Sequence, residues 1–309
     1  MTATRVALPQ VVVLMASHNG ARWIGAQLDS ILVQQGVSLR VLVSDDASTD
    51  ATRELVQARA TADDRVTLLP ASGPHGSAAS NFFALLASLS LLDKPPTAVA
   101  FADQDDLWHP DKLQRALTAL EKNNAAGVSG SVVAFWPDGR RQLLQKSQPL
   151  RAADHLFESA GPGCTYVLRG DVALRLSAWV VAHTEALRRI AFHDWFVYAW
   201  VRTQGEVWWI DPLPCMDYRQ HDHNVFGARA GWRGLARRGQ MLFGPWYRQQ
   251  VLAVAHACGA NHHPLIARLQ CDQWRDRWAL VRQVGAMRRK PLDRLVLAAA
   301  LLFGKRGPP

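Results

Sequence analysis

Over the first 125 residues, apolar and polar positions fall into blocks that switch between two periods. Residues 11–16, VVVLMA, are continuously apolar and end on Ser17-His18-Asn19-Gly20. A short apolar run closed by turn residues predicts a strand buried on both faces. Trp23, Ile24, Leu28, Ile31 and Leu32 then recur three and four apart, which predicts a helix within 21–34. The two signals repeat along the chain. A strand is predicted over 39–43, then a helix over 52–60 with Asp50 as its N-cap. A strand over 66–69, a Gly/Pro/Ser loop over 70–77 and a helix over 81–92 follow. A strand over 97–102 then leads to a helix from Pro110 to about residue 123. Strands alternating with helices mean βαβ units and a parallel sheet.

After residue 125 the pattern changes. Residues 127–144 predict a hairpin turning at Pro137-Asp138-Gly139. The stretch GPGCTYVLRG, 161–170, predicts a glycine-rich turn and a short strand, followed by helices from 171 to about 190. A helix over 193–205 starts near Asp194, and a strand and a polar loop, YRQHDHNVFG at 218–227, close the body.

Composition narrows the class. The chain has 309 residues, 49% hydrophobic and 20% charged, which fits a folded globular protein rather than a disordered one. Its four cysteines, Cys164, Cys215, Cys258 and Cys271, lack zinc-site spacing and read as reduced thiols of a cytosolic protein. The run Val11–Ala16 is preceded by Arg5 alone and leads into a polar turn, so it reads as a strand and not as a secretory signal. The longest late apolar run, Val296–Phe303, is far too short to span a bilayer. Charge is uneven: residues 229–309 carry 15 Lys/Arg against 3 Asp/Glu, whereas residues 1–228 carry 20 against 23. A basic tail on a near-neutral body favours a polyanion or an anionic membrane surface.

Candidate chemistry sits at the predicted strand ends. Ser17-His18-Asn19, Asp45-Asp46 and Asp103-Gln104-Asp105-Asp106 each follow a strand, where open α/β sheets bind ligands. Singly, each is an ordinary turn or, before Pro110, a favourable helix N-terminus. Three acids after an apolar strand repel one another, and a divalent cation with a diphosphate relieves that charge. Mg²⁺ and Mn²⁺ suit carboxylate oxygens. No glycine-rich phosphate loop with its lysine is present to do the same work.

The segments VVVLMASHNGARWIGAQLDSIL, LVSDDASTDAT and FADQDDLWHPDKL together resemble family 2 glycosyltransferases of the GT-A fold. HDWFVYAW and YRQHDHNVFG resemble the bacterial rhamnosyltransferase branch of that family. The resemblance implies an α/β, Rossmann-like mixed sheet flanked by helices over residues 1–228, with 229–309 as a basic helical extension. It also implies an inverting, metal-dependent transfer of a sugar from a nucleotide-sugar donor, dTDP-rhamnose in that branch, to a glycan acceptor of surface polysaccharide synthesis. Residue by residue, Ala16, Ser17, His18, Asn19, Asp45, Asp46, Asp103 and Gln104 would line the nucleotide-sugar. Asp105 or Asp106, with His221, would hold Mg²⁺ or Mn²⁺, and Asp194 would be the catalytic base. Cys164, Thr165, His193, Trp195, Arg219 and Asn224 would face the acceptor or the diphosphate. Read without the family, Asp194 is an acidic first-turn helix residue and 218–227 a polar surface loop. Many relatives have Tyr before the Asn where this chain has His18, so the role of His18 stays open.

Two further readings keep the fold but change the function: a UDP-glucose or UDP-galactose donor, or a non-catalytic scaffold of a polysaccharide assembly. The tail's Trp232, Trp246, Trp274 and Trp278 among arginines suggest helices lying on a membrane interface, on the inner face of the cytoplasmic membrane if the acceptor is lipid-linked. A basic solvated helical face is the plainer alternative. No nucleic-acid-binding motif accompanies the charge.

Overall fold

The computed structural model describes residues 7–221, 239–271 and 273–305. Four strands, β1 (Gln10–Ser17), β2 (Ser38–Asp45), β3 (Val66–Leu68) and β4 (Ala98–Ala102), pair in parallel in the order β3-β2-β1-β4. Val13 lies opposite Val41 on one side and Ala100 on the other. Because side chains alternate along a strand, the apolar runs feed two cores. Val12, Leu14, Val99 and Phe101 enter one, and Val11, Val13, Met15 and Ala98 the other. Helices α1 (Ile24–Leu32), α2 (Thr52–Ala62), α3 (Ala78–Ser88) and α4 (Lys112–Lys122) connect these strands or follow them.

The sheet is not parallel throughout, as the alternation alone predicted. Beyond β4 it continues through β8 (Val167–Arg169), β6 (Gly127–Phe135), β9 (Trp208–Arg219) and β5 (Leu107–Trp108), with β7 (Arg141–Leu144) on β6. Strand β8 is antiparallel to both β4 and β6. The reversal leaves a close crossing at Gly170, whose N–H donates to the Thr97 carbonyl at 2.9 Å. A Cβ there would stand 1.8 Å from the Pro96 carbonyl oxygen, so only glycine fits. The reversal also sets the turn before β8, residues 163–165, beside the carboxyl end of β4. Strand β9, parallel to β6, carries Arg219 to that same end.

The predicted hairpin forms as β6 and β7, with the Trp136 N–H donating to the Arg140 carbonyl at 3.0 Å across the turn. Asp50 is not the cap of α2: Ala51 holds that position. Asp50 straps two loops instead, accepting from the Thr52 N–H at 3.0 Å and the Ala21 N–H at 3.1 Å.

Helices α5 (Asp154–Phe157), α6 (Gly170–Ala182), α7 (Thr184–Leu187) and α8 (His193–Thr203) precede β9. After it come α9 (Pro245–Ala257), α10 (Pro264–Cys271), α11 (Trp274–Val281), α12 (Val284–Met287) and α13 (Pro291–Phe303). The expected boundary at 228/229 and Trp232 lie outside the described residues. The described helices beyond them share the body's core: Val251, Val254, Ile266, Leu280, Met287 and Leu297 pack in one cluster with Phe82, Phe101 and Trp208. Buried ion pairs reinforce the junction. Arg289 donates to Asp154 Oδ2 at 3.1 Å, and Arg288 lies 3.6 Å from Glu158. The four cysteines are free thiols, three of them buried. No helix among the described residues is long and apolar enough to cross a membrane.

Candidate active site

The three strand-end clusters meet because β2, β1 and β4 are neighbours running the same way. Ser17 Oγ donates to Asp45 Oδ1 at 3.0 Å, and Ser48 closes a turn on Asp45 through its N–H (3.0 Å) and hydroxyl (2.6 Å). Asp46 Oδ1 accepts the backbone N–H groups of His75 and Gly76, which ties the 70–77 loop to the end of β2. His18 Nδ1 donates to the Asp46 carbonyl at 2.7 Å, and Asn19 Nδ2 to His18 Nε2 at 3.2 Å. Asn19 and Ala47 take left-handed backbone conformations, φ 48° and 53°. For Ala47 that is a strained state the surrounding bonds must hold, at about 1 kcal/mol.

The loop after β4 is fixed from both sides. The Gln104 amide brackets the His18 backbone: Oε1 accepts its N–H at 2.8 Å and Nε2 donates to its carbonyl at 2.9 Å. Asp106 is fully buried and accepts the Arg219 N–H at 3.1 Å, while its Oδ2 has no partner among the described residues. Arg219 Nε donates to the Asp105 carbonyl at 2.8 Å, and His221 Nε2 donates to Asp105 Oδ2 at 2.6 Å. The His221 ring stacks on Trp23, centroids 4.2 Å apart. Asn224 lies outside the described residues.

The turn before β8 brings the last part. Ligand atoms of Asp103, Asp106 and Cys164 lie within 4.8 Å of one another. Burial first, then neighbouring carboxylates, push the Asp103 and Asp106 carboxyls above their ordinary range. Burial and those acids also raise the Cys164 thiol, so it stays protonated. Beneath lies Lys112, buried, its Nζ donating to the Cys164 carbonyl at 2.7 Å and resting 3.2 Å from the Trp108 ring centroid. Burial pulls that ammonium down to about 8.

Asp194 stands at the first turn of α8, half-buried, beside this cluster. Its carboxyl is pushed up to about 6, chiefly by burial. His193 stacks on Phe82 with centroids 3.9 Å apart, and burial holds it neutral, near 3. Both pack on Gly163: a Cβ there would lie 2.5 Å from His193 Nε2 and 3.0 Å from Asp194 Cβ.

Several expected contacts turn inward. Ala16 belongs to the core. Thr165 Oγ1 donates to the Pro162 carbonyl at 2.7 Å, and the Trp195 indole N–H donates to the His155 carbonyl at 3.0 Å. These residues and Cys164 are buried. Gln104 likewise has its amide committed to His18. Lys112 and Asn81 were not singled out from the sequence. Asn81 Nδ2 donates to the Ser44 carbonyl at 3.0 Å, bridging the strand ends. Lys112 did leave a signal: a cation in a helix's first turn opposes the helix dipole. Asn81 left none.

Asp103, Asp105 and Asp106 form an oxygen-rich set with one orphaned buried oxygen, and burial holds the Asp103 and Asp106 carboxyls above their ordinary range. Such a set fits a hard divalent cation. His221, already on Asp105, could join it.

The sequence model of Glycosyl transferase family 2 matches residues 12–177, more than half of the chain. The chain is 36% identical over 244 residues to dTDP-rhamnosyl transferase RfbG of Shigella flexneri, spanning 79% of this chain and 84% of that one. It is 31% identical over 175 residues, 57% of this chain and 66% of the other, to an Escherichia coli protein, UDP-Glc:alpha-D-GlcNAc-diphosphoundecaprenol beta-1,3-glucosyltransferase WfgD. Among solved structures, the mannosyltransferase PcManGT of Pyrobaculum calidifontis, in complex with GDP-Man and Mn²⁺, superposes with a TM-score of 0.51 at 18% identity, covering 96% of this chain and 86% of that one. S. aureus TarS 1-349 with UDP gives 0.52 at 13% identity, covering 94% and 86%. These neighbours speak for the fold and agree with the expected GT-A architecture. Matched over more than half its length, the chain belongs to Glycosyl transferase family 2 and is a glycosyltransferase.

Proposed function

We propose that this chain transfers a sugar, with inversion and metal dependence, from a nucleoside diphosphate to a glycan hydroxyl. One observation carries the reading: the Gly163 turn packs Asp194 beside the Asp103–Asp106 cluster, with the Asp194 carboxyl held near 6. Inverting displacement needs one base on the acceptor hydroxyl and a sink for leaving-group charge. Asp194 is the base: deprotonated above pH 6, it takes the acceptor proton during attack. Asp105, Asp106 and His221 would hold the cation, and the Arg219 N–H on Asp106 Oδ1 fixes the loop. When bound, Mg²⁺ or Mn²⁺ neutralises the charge developing on the diphosphate. Arg219 and His193 flank the diphosphate and acceptor sides. Ser17, His18, Asn19 and Asp45 shape the nucleotide wall. Asp46, anchored through Oδ1, offers a carboxylate to the base N3–H, and Asp103 faces the ribose.

The likeness to RfbG supports dTDP-rhamnose as donor. The likeness to WfgD supports a second reading, UDP-glucose, and a lipid-linked acceptor in polysaccharide synthesis on the cytoplasmic side. Calorimetric titration of dTDP and UDP, with and without Mn²⁺, tests both. We expect metal-dependent binding that favours dTDP and is lost in Asp105→Ala. Preference for UDP would shift the donor, and absence of binding by either would leave a scaffold.

A further inference from the structure

Helix α13 is apolar on two faces. Leu297 and Ala300 enter the shared core. Leu292, Leu295 and Phe303 stand 70%, 70% and 75% exposed on another side, with half-buried Val296, Ala299 and Leu302 at the same helical spacing. A solvated helix needs only one apolar stripe, so the second is surplus to folding. Helix α11 packs against α13, its Arg277 donating to the Leu302 carbonyl at 3.0 Å. It adds exposed Trp274 and Trp278, whose rings meet edge to face at 6.1 Å. Exposed Arg275, Arg282 and Lys305, with half-buried Lys290, lie on these helices or at their ends.

We propose that α11 and α13 seat the protein on an anionic lipid surface, with α13 lying in the plane of the interface. At 13 residues the helix is about 20 Å long, enough to lie on a bilayer and too short to cross it. Its apolar stripe enters the acyl boundary, tryptophans suit the headgroup level, and the cations meet anionic headgroups. A second copy fits the face poorly, because Arg275, Arg282, Lys290 and Lys305 rim it and pairing would set like charge against like. A nucleic acid would match the charge and leave the leucines and phenylalanine in water. The inference is independent of the transfer chemistry: the face holds no residue of the active site.

The test is sedimentation of the full chain with phosphatidylcholine vesicles and with vesicles in which phosphatidylglycerol replaces part of the phosphatidylcholine. We expect binding to the anionic vesicles that weakens with salt. Leu292→Gln/Leu295→Gln/Phe303→Gln, all at exposed positions, should keep its melting temperature and lose about tenfold or more in vesicle affinity. Arg275→Gln/Lys290→Gln/Lys305→Gln should weaken binding and flatten its salt dependence. Three results would overturn the proposal: no vesicle binding by the parent chain, vesicle binding by both variants equal to the parent's, or a parent dimer that the apolar triple variant dissolves.

Discussion

At the scale of single residues, burial decides what each carboxyl does. Asp194 sits where its charged form is disfavoured, near 6 rather than in the ordinary range. As a base it must be deprotonated, so kcat/KM should rise with pH to a midpoint near 6 and then level off. Asp194→Asn should remove that limb and lower the rate by about 10²- to 10⁴-fold. The same shift has an opposite sign for stability. A carboxyl raised by the fold contributes stability below its unfolded value of about 3.9 and loses it as pH rises through about 6. Asp194→Asn should therefore melt higher than the parent at pH 8 and at the same temperature near pH 3, as calorimetry would read. The sequence made Asp194 a candidate by its place in HDWFVYAW. It did not reveal the raised carboxyl, which comes from burial where the Gly163 turn, from another segment, packs on Asp194. Lys112 left only the mark of a cation set against a helix dipole; its burial was not legible, because the acids and cysteines around it come from elsewhere in the chain.

At the scale of elements, the legible part was the local part. Strands β1, β2 and β4 and the helices after them follow from apolar runs and helical spacing, and the structure moves their ends by only a few residues. The short strand expected within 161–170 forms as β8, but its antiparallel direction was not legible, because it depends on a partner strand about 70 residues earlier. Yet that reversal builds the site, because it aims the 163–165 turn at the acids. Gly163→Ala tests the turn. With His193 Nε2 and Asp194 Cβ in the way, the new methyl must displace α8 or the turn itself. Turnover should fall by about tenfold or more, as catalytic misplacement does, while binding of the donor nucleotide holds. An unchanged kcat would mean the turn does not position Asp194.

At the scale of the whole molecule, one side of the described basic tail packs into the enzyme's core. Arg289 is buried against Asp154, which also accepts from the Tyr198 hydroxyl at 3.0 Å. Removing one member of a buried pair strands the other charge, so Arg289→Met should destabilise the chain by about 3 kcal/mol in urea unfolding. A loss under about 0.5 kcal/mol would mean that Tyr198 and Arg202 suffice for Asp154. Composition showed the tail's charge, and no sequence signal showed that part of it faces inward.

That inward pairing bears on where the gene can be cut. The match to the family's sequence model ends at residue 177, yet the proposed base is at 194 and the arginine that neutralises Asp154 is at 289. A fragment ended at the limit of that match would carry the acids of β4 without their base, and a buried aspartate without its counterion. Fusions and domain swaps that preserve the reaction should join the chain beyond α13.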